Sequence, residues 1–301
     1  MRFIILGGSG LIGRALSRAL SQAGHEVVVV SRSPERVPPM EGMSAVGWDG
    51  HSAGGWGKLV DGADGIVNLA GESIGAGRWN EERKKRIVSS REQAGAAIVD
   101  AVRAATRKPG VVFQISGVGY YGIGGDRPFT ESDPPGNDFL ASVAVRWEDA
   151  TRPVEEEGVR RVIARAGVVL TPQGGVLPRM MLPFRFFAGG PLGTGRQWIS
   201  WIHLEDTVRG IQYMLENPAC TGVYNLTSPQ PVTNAEFGKI LGRVLRRPCW
   251  LPVPTLALRV ILGEMSTLVL DGQRVIPSRL EEAGFQFRFA QLESALRDLL
   301  V

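Results

Sequence analysis

Residues 7 to 13 read Gly-Gly-Ser-Gly-Leu-Ile-Gly. Glycine loses more conformational freedom on folding than any other residue, so such a cluster is costly unless the backbone must come very close to something. An apolar run of strand length, Phe3 to Leu6, precedes it. Ile12, Leu16, Ala19, Leu20 and Ala23 follow at helical spacing, with Gly24 where a helix C-cap belongs. Val27 to Val30 then form the β-branched run of a parallel strand buried on both faces. The order is strand, glycine turn, helix, strand: a βαβ unit whose glycines fall at its first crossover. There they permit a tight turn, close approach of a pyrophosphate and close helix–strand packing, while the helix N-terminus meets the anion. Two spacings are satisfied at once, Gly8-x-Gly10-x-x-Gly13 and Gly7-x-x-Gly10-x-x-Gly13, with Ser9 inside the turn. A merely flexible turn would not need the flanking strands and helix.

The end of the second strand tells one dinucleotide from another. An NAD site usually has an acid there for the ribose 2′-hydroxyl. Here Ser31 and Arg32 occupy the place, and arginine suits a 2′-phosphate. The expected cofactor is NADP(H), in preference to NAD(H), with a solvated turn arginine as the plainer alternative.

Further strand-like runs at 45–48, 66–70, 111–116 and 161–166, mostly separated by helical stretches, predict an α/β Rossmann fold, a doubly wound parallel sheet. Ligands of such sheets bind at the carboxyl ends of the strands, which here carry Trp48-Asp49, Asn68 to Glu72 and Ser116-Gly117. Asp49, Leu69, Ala70, Gly71 and Ser116 are therefore cofactor-site candidates. A long helix is expected over 80–107 with Asn80 as N-cap, and its inward stripe includes Arg91, which must find an anion or acceptors. Residues 167–200, rich in glycine and aromatics, fit a cleft wall, a lid or an oligomer contact. A helix is expected over 203–217, capped by Asp206, and a strand over 222–226. The predicted NADP(H) domain is 1–166, rejoined by 201–228. Residues 167–200 and 229–301 form a smaller, mostly helical substrate or cap domain.

Composition excludes more than it identifies. The 34 basic and 30 acidic side chains give a formal charge of +4 and a pI near 9.3. The excess is dispersed, and its densest run, Arg83 to Arg86, follows Glu81 and Glu82 on a helix. A nucleic-acid partner is not expected. Cys220 and Cys249 form no framework and no metal motif, which fits a reducing cytoplasm, and no stretch is long enough to span a bilayer. The expected partner is a small-molecule substrate of unknown identity; no membrane partner is expected, and an oligomer remains open.

Gly7-Gly-Ser-Gly-Leu-Ile-Gly, Asn68-Leu-Ala-Gly-Glu, Ser89-Ser-Arg, Ser116-Gly-Val-Gly-Tyr-Tyr-Gly, Gly189-Gly-Pro, Trp201-Ile-His-Leu-Glu-Asp and Gly272-Gln-Arg-Val-Ile-Pro run along essentially the whole chain. Together they resemble the extended short-chain dehydrogenase/reductases, most closely an atypical subgroup labelled NAD-dependent epimerase family protein and sometimes mislabelled cell division inhibitor. The resemblance implies a Rossmann domain holding NADP(H) through Gly7, Gly10, Leu11, Ile12, Ser31, Arg32, Leu69, Ala70, Arg86, Arg91 and Val169. The wider superfamily uses Tyr-x-x-x-Lys with a serine or threonine, the tyrosine exchanging a proton with substrate while hydride moves. No Tyr-x-x-x-Lys occurs in this chain, and its two positions hold Leu140 and Ala144. Ser116 remains for the third role, with Tyr120 or Tyr121 as replacement acids. Tyrosines packed against cofactor or loop are the alternative, and His203 is expected to be structural. Two readings follow: an NADP(H)-dependent oxidoreductase or epimerase-like enzyme, and a catalytically weak NADP(H)-binding regulatory or scaffold protein.

Overall fold

In the computed structural model, which describes residues 1–301, strand β1 (Arg2–Leu6) is an interior strand, third from one edge, of a seven-stranded sheet. Its companions are β2 (Glu26–Ser31), β3 (Met43–Gly47), β4 (Gly65–Asn68), β5 (Val111–Gly117), β6 (Arg160–Ala166) and β7 (Gly222–Leu226). The order is β3-β2-β1-β4-β5-β6-β7, and every neighbouring pair is parallel. The strand order reverses at β1, where Leu6 pairs with Val30 on one side and Asn68 on the other. A crevice must open there, because the connections leave β1 and β4 toward opposite faces.

Alternation along β1 divides the interior. Phe3 and Ile5 join one core with Leu16 and Leu20 of helix α1 (Leu11–Gln22) and Ile211 of a later helix. Ile4 and Leu6 join another with Ile98 and Val102 of α2 (Glu81–Ala104). The period of two sends successive side chains to opposite faces, so both faces of an apolar strand must be covered. Asn80 caps α2 as expected, its side chain accepting from the Arg83 amide at 2.8 Å. The helix ends at Ala104, short of Arg107, ahead of Pro109 and Gly110.

Helix α3 (Phe139–Asp149) precedes β6, and after β6 the chain leaves the sheet. The stretch 167–200 is more regular than expected. Val168–Leu170 pairs with Trp201–His203, and Leu177–Arg185 forms helix α4, continuing past Pro183. Helix α5 (Leu204–Glu216) returns to the sheet. Its cap is His203, whose Nδ1 accepts from the Glu205 amide at 3.0 Å. Asp206 does not cap it: its carboxylate accepts the Arg288 and Phe289 amides at 2.9 and 2.8 Å, tying the C-terminal region to α5. Helices α6 (Asn234–Leu245), α7 (Thr255–Leu262) and α8 (Leu292–Leu300) follow. Phe184, Phe237, Leu241, Leu292 and Leu296 build a third core between α4, α6 and α8. No helix is long and apolar enough to cross a membrane.

Candidate cofactor and substrate clefts

The crevice at the carboxyl ends of β1, β2 and β4 is a cleft of about 470 Å³. Its floor is the glycine turn. Gly7 has φ +77°, and a Cβ there would stand 2.9 Å from the Leu69 carbonyl carbon. A Cβ on Gly13 would meet the Gly7 carbonyl oxygen and lie 2.6 Å from the Gly8 Cα. Gly10 is the N-cap of α1 and offers no side-chain acceptor, and the first turn holds no acid. The amides at that terminus are left for an anion, as a bound phosphate requires.

The walls are cationic. Arg14, Arg32 and Arg36 line the cleft, and Glu72 is the one acid among the lining residues. Only Arg36 has a carboxylate beside it outside the cleft, Glu35 at 3.9 Å. Ser31 donates to Ser9 at 3.0 Å and accepts the Ser33 amide at 3.1 Å, which links the end of β2 to the turn. Val30, Trp48, Gly50, Leu69, Ala70, Gly71 and Ser90 complete the lining.

A second cleft, about 360 Å³, lies between α3, the 167–200 stretch and residues 267–273. Of its 26 lining residues 15 are apolar, and Arg91 and Asp271 alone are ionisable. Leu140 and Ala144, the positions a Tyr-x-x-x-Lys pair would take, face this cleft. Arg91 is nine-tenths buried, with its guanidinium 4.3 Å over the Trp147 ring. Its Nη1 donates to the Glu72 and Ile87 carbonyls at 3.1 and 2.8 Å, and its Nε has no partner. Burial pulls its pKa down to about 10 despite the charge of Glu72. Asp271 accepts from the Thr267 hydroxyl at 2.7 Å. Val176 and Met180, together with residues 197–200, form one wall, so the 167–200 stretch does border a cleft.

Of the cofactor residues expected from sequence, the first cleft gathers Gly7, Ser9, Gly10, Ser31, Arg32, Leu69, Ala70 and Gly71. Leu11 and Ile12 enter through the start of α1, and Gly13 through packing. Others are engaged elsewhere. Asp49 folds back on its own turn, accepting the His51 and Ser52 amides at 2.8 Å each; with the Ser52 hydroxyl these bonds hold its pKa down to about 2. Arg86 pairs with Glu82 at 2.6 Å and Glu72 at 3.4 Å. Val169 sits in the short pairing with Ile202, its carbonyl near Gly175. Arg14, Ser33, Arg36 and Gly50 were not anticipated, although an arginine one residue past the last motif glycine, in an acid-free first turn, was a readable signal.

The expected acids are also displaced. The Ser116 hydroxyl donates to Glu148 at 2.8 Å, and Glu148 takes a two-pronged pair from Arg165 at 2.8 and 2.9 Å. Arg165 donates on to Tyr121, and Tyr121 donates to Asn225 at 2.7 Å. Glu148, Arg165 and Tyr121 are all buried, and the Arg165 guanidinium lies over the Tyr120 ring. Burial pushes the Tyr121 pKa up to about 12 against the opposing charge of Arg165. Neither tyrosine nor Ser116 lines either cleft. Ser116, Glu148, Arg165, Tyr121 and Asn225 form a buried polar chain that links β5, α3, β6 and β7, and the assignment of Ser116, Tyr120 and Tyr121 as proton donors does not fit their surroundings. His203 is structural: it stacks on Phe289 at 4.0 Å and caps α5.

A parallel sheet with a glycine-floored, arginine-walled cleft at its reversal point, beside a second apolar cleft, defines a Rossmann-type dinucleotide-binding protein. Residues 3–227 match the model of the NAD dependent epimerase/dehydratase family, to which the chain belongs, and residues 253–299 match a domain of unknown function. The epimerase family protein YfhF of Bacillus subtilis is 41% identical over 301 residues, covering 100% of this chain and 98% of that protein. A chloroplastic SDR39U1 homolog of Arabidopsis thaliana is 40% identical over 305 residues, covering 100% and 87%. The crystal structure of human epimerase family protein SDR39U1 with NADPH superposes with a TM-score of 0.88 at 34% identity, covering 99% of each chain.

Proposed function

We propose that this chain is an NADP(H)-dependent oxidoreductase or epimerase-like enzyme, cytoplasmic, acting on a small molecule held in the second cleft. The observation that carries this is the first cleft: Arg14, Arg32 and Arg36 face the glycine turn and the uncapped start of α1. Three cations and free amides suit a pyrophosphate plus a 2′-phosphate better than a dinucleotide lacking that group. The NADPH in the human relative's structure supports the same choice. Unbonded Cys220 and Cys249 suit a reducing compartment.

When bound, the cofactor supplies a hydride donor or acceptor. The residues do the rest. Gly7, Gly10 and Gly13 leave room for the diphosphate, the first amides of α1 orient it, and Arg32 holds the adenosine end. Leu140, Ala144, Val143 and Trp147 exclude water from the second cleft, which favours a largely apolar substrate. With the dyad positions apolar, Asp271 is the one carboxyl group on the wall able to give or take a proton.

The test is NADPH oxidation against a panel of carbonyl compounds, apolar ketones and aldehydes beside nucleotide sugars. Asp271→Asn should lower turnover by about 10²–10⁴-fold, the usual worth of a general acid, with NADPH affinity unchanged. Unchanged turnover would assign the proton to solvent. No turnover with any compound, by protein shown to hold NADPH, would favour the second reading, a catalytically weak NADP(H)-binding regulatory or scaffold protein. The feature behind that reading is the pair Leu140 and Ala144 at the dyad positions. Pull-downs with and without NADPH then test it, and partners indifferent to cofactor would refute it.

A further inference from the structure

The outer face of α4 and the 247–261 stretch is apolar, aromatic and uncovered. Phe186, Trp250, Leu256 and Val260 are each at least 65% exposed. Trp250 and the neighbouring Phe187 are held in place rather than loose. The Trp250 indole donates to the Phe187 carbonyl at 2.9 Å, and the Arg247 guanidinium lies 4.5 Å from the centre of the Phe187 ring. Phe187 and Arg246 are the only non-glycine residues at positive φ, 59° and 55°. Such a conformation persists where surrounding structure imposes it, commonly at working surfaces. Helix α7 has eight residues and none of them buried. A helix that short does not hold together in water on its own propensity.

Charge identifies the occupant. No Asp or Glu occurs from 177 to 204 or from 237 to 263, whereas the two segments carry eight Lys and Arg. Of these, Arg243 pairs with Glu293 at 2.6 Å, and Arg185, Arg246, Arg247 and Arg259 are exposed, Arg247 over the Phe187 ring. A second copy of this chain would set like charges against each other, which disfavours a self-complementary contact. Exposed apolar and aromatic side chains interspersed with arginine are what an anionic lipid surface recognises: the rings enter the headgroup layer and the cations meet phosphates.

We propose that this face docks the protein peripherally on anionic lipid bilayers. The expectation of no membrane partner rested on the lack of a spanning segment, and surface docking needs none. The inference does not depend on the proposed reaction, and the first cleft enters its test only through NADPH binding as a control for folding.

The experiment is flotation of the full chain with vesicles of phosphatidylcholine alone, and with about 30 mol% phosphatidylglycerol added. Wild type should float with the anionic vesicles and not the neutral ones, and raised salt should release it. Arg246→Gln and Arg247→Gln should each weaken partitioning about five-fold. Phe186→Ser and Trp250→Ser should release the protein as well, with NADPH binding retained as the control for folding. The proposal is overturned if wild type ignores anionic vesicles, or if the arginine pair and the aromatic variants float like wild type. It is equally overturned if sedimentation without lipid shows a dimer that Phe186→Ser dissolves, because a second copy would then cover the face.

Discussion

Replacing Arg32 with alanine should weaken NADPH binding about thirty-fold and leave NADH nearly untouched. Arg32 is exposed at the end of β2, so any phosphate it meets is still bathed in water. Two unit charges about 4 Å apart in water attract by about 1 kcal/mol. A phosphate monoester carries about −1.5 to −2 at neutral pH, so the pair is worth about 2 kcal/mol. At about 1.4 kcal/mol per decade that is roughly thirty-fold. Arg14 and Arg36 remain in the variant and should preserve a smaller preference for NADPH. The assay is titration calorimetry with both nucleotides at low and high salt. At 1 M salt, where the screening length is about 3 Å, the gap between wild type and variant should narrow. The Arg32 side chain also packs over Gly50, its Cδ 3.4 Å from where a Cβ would stand. Loss of that packing would weaken NADPH and NADH equally. Equal losses, or full retention of NADPH, would refute the assignment of Arg32 to the 2′-phosphate.

Three further outcomes follow from the same geometry. Gly13→Ala sets a methyl group against the Gly7 carbonyl and Gly8 Cα, neither of which is a flexible side-chain end, so NADPH-induced thermal stabilisation should disappear and the melting temperature fall. Arg165→Met strands the buried Glu148 carboxylate and should cost about 3–5 kcal/mol in urea unfolding, while Glu148→Leu with Arg165→Met should recover much of it; equal losses from the single and double variants would contradict the pairing. Burial lowers the His203 pKa below 6.5, so the folded state binds fewer protons there than the unfolded chain. This contribution to stability is complete above the unfolded value and is lost as pH falls below it, so melting curves from pH 7 to 5 should fall more steeply for wild type than for His203→Asn.

Local rules reach a long way into this fold. The glycine turn, the valines of β2 and the 3.6-residue stripe of α1 are each short-range patterns, and each is borne out because propensity, period and burial agree over a few residues. The floor of the first cleft was readable for the same reason, since Gly7 to Gly13 and Ser31-Arg32 belong to one contiguous βαβ unit. Competing partners brought in by folding decided the rest. Ser116 looked available at its strand end until α3 brought Glu148 to it across 32 residues, and β6 brought Arg165. Asp206 looked like a cap until the 288–289 backbone arrived with two amides and left the cap to His203. A hydrogen-bonding group takes whichever partner satisfies it in the dry interior. That choice depends on packing between elements far apart in the chain, and the walls of the apolar cleft, drawn from 74 to 273, exist only once those elements have met.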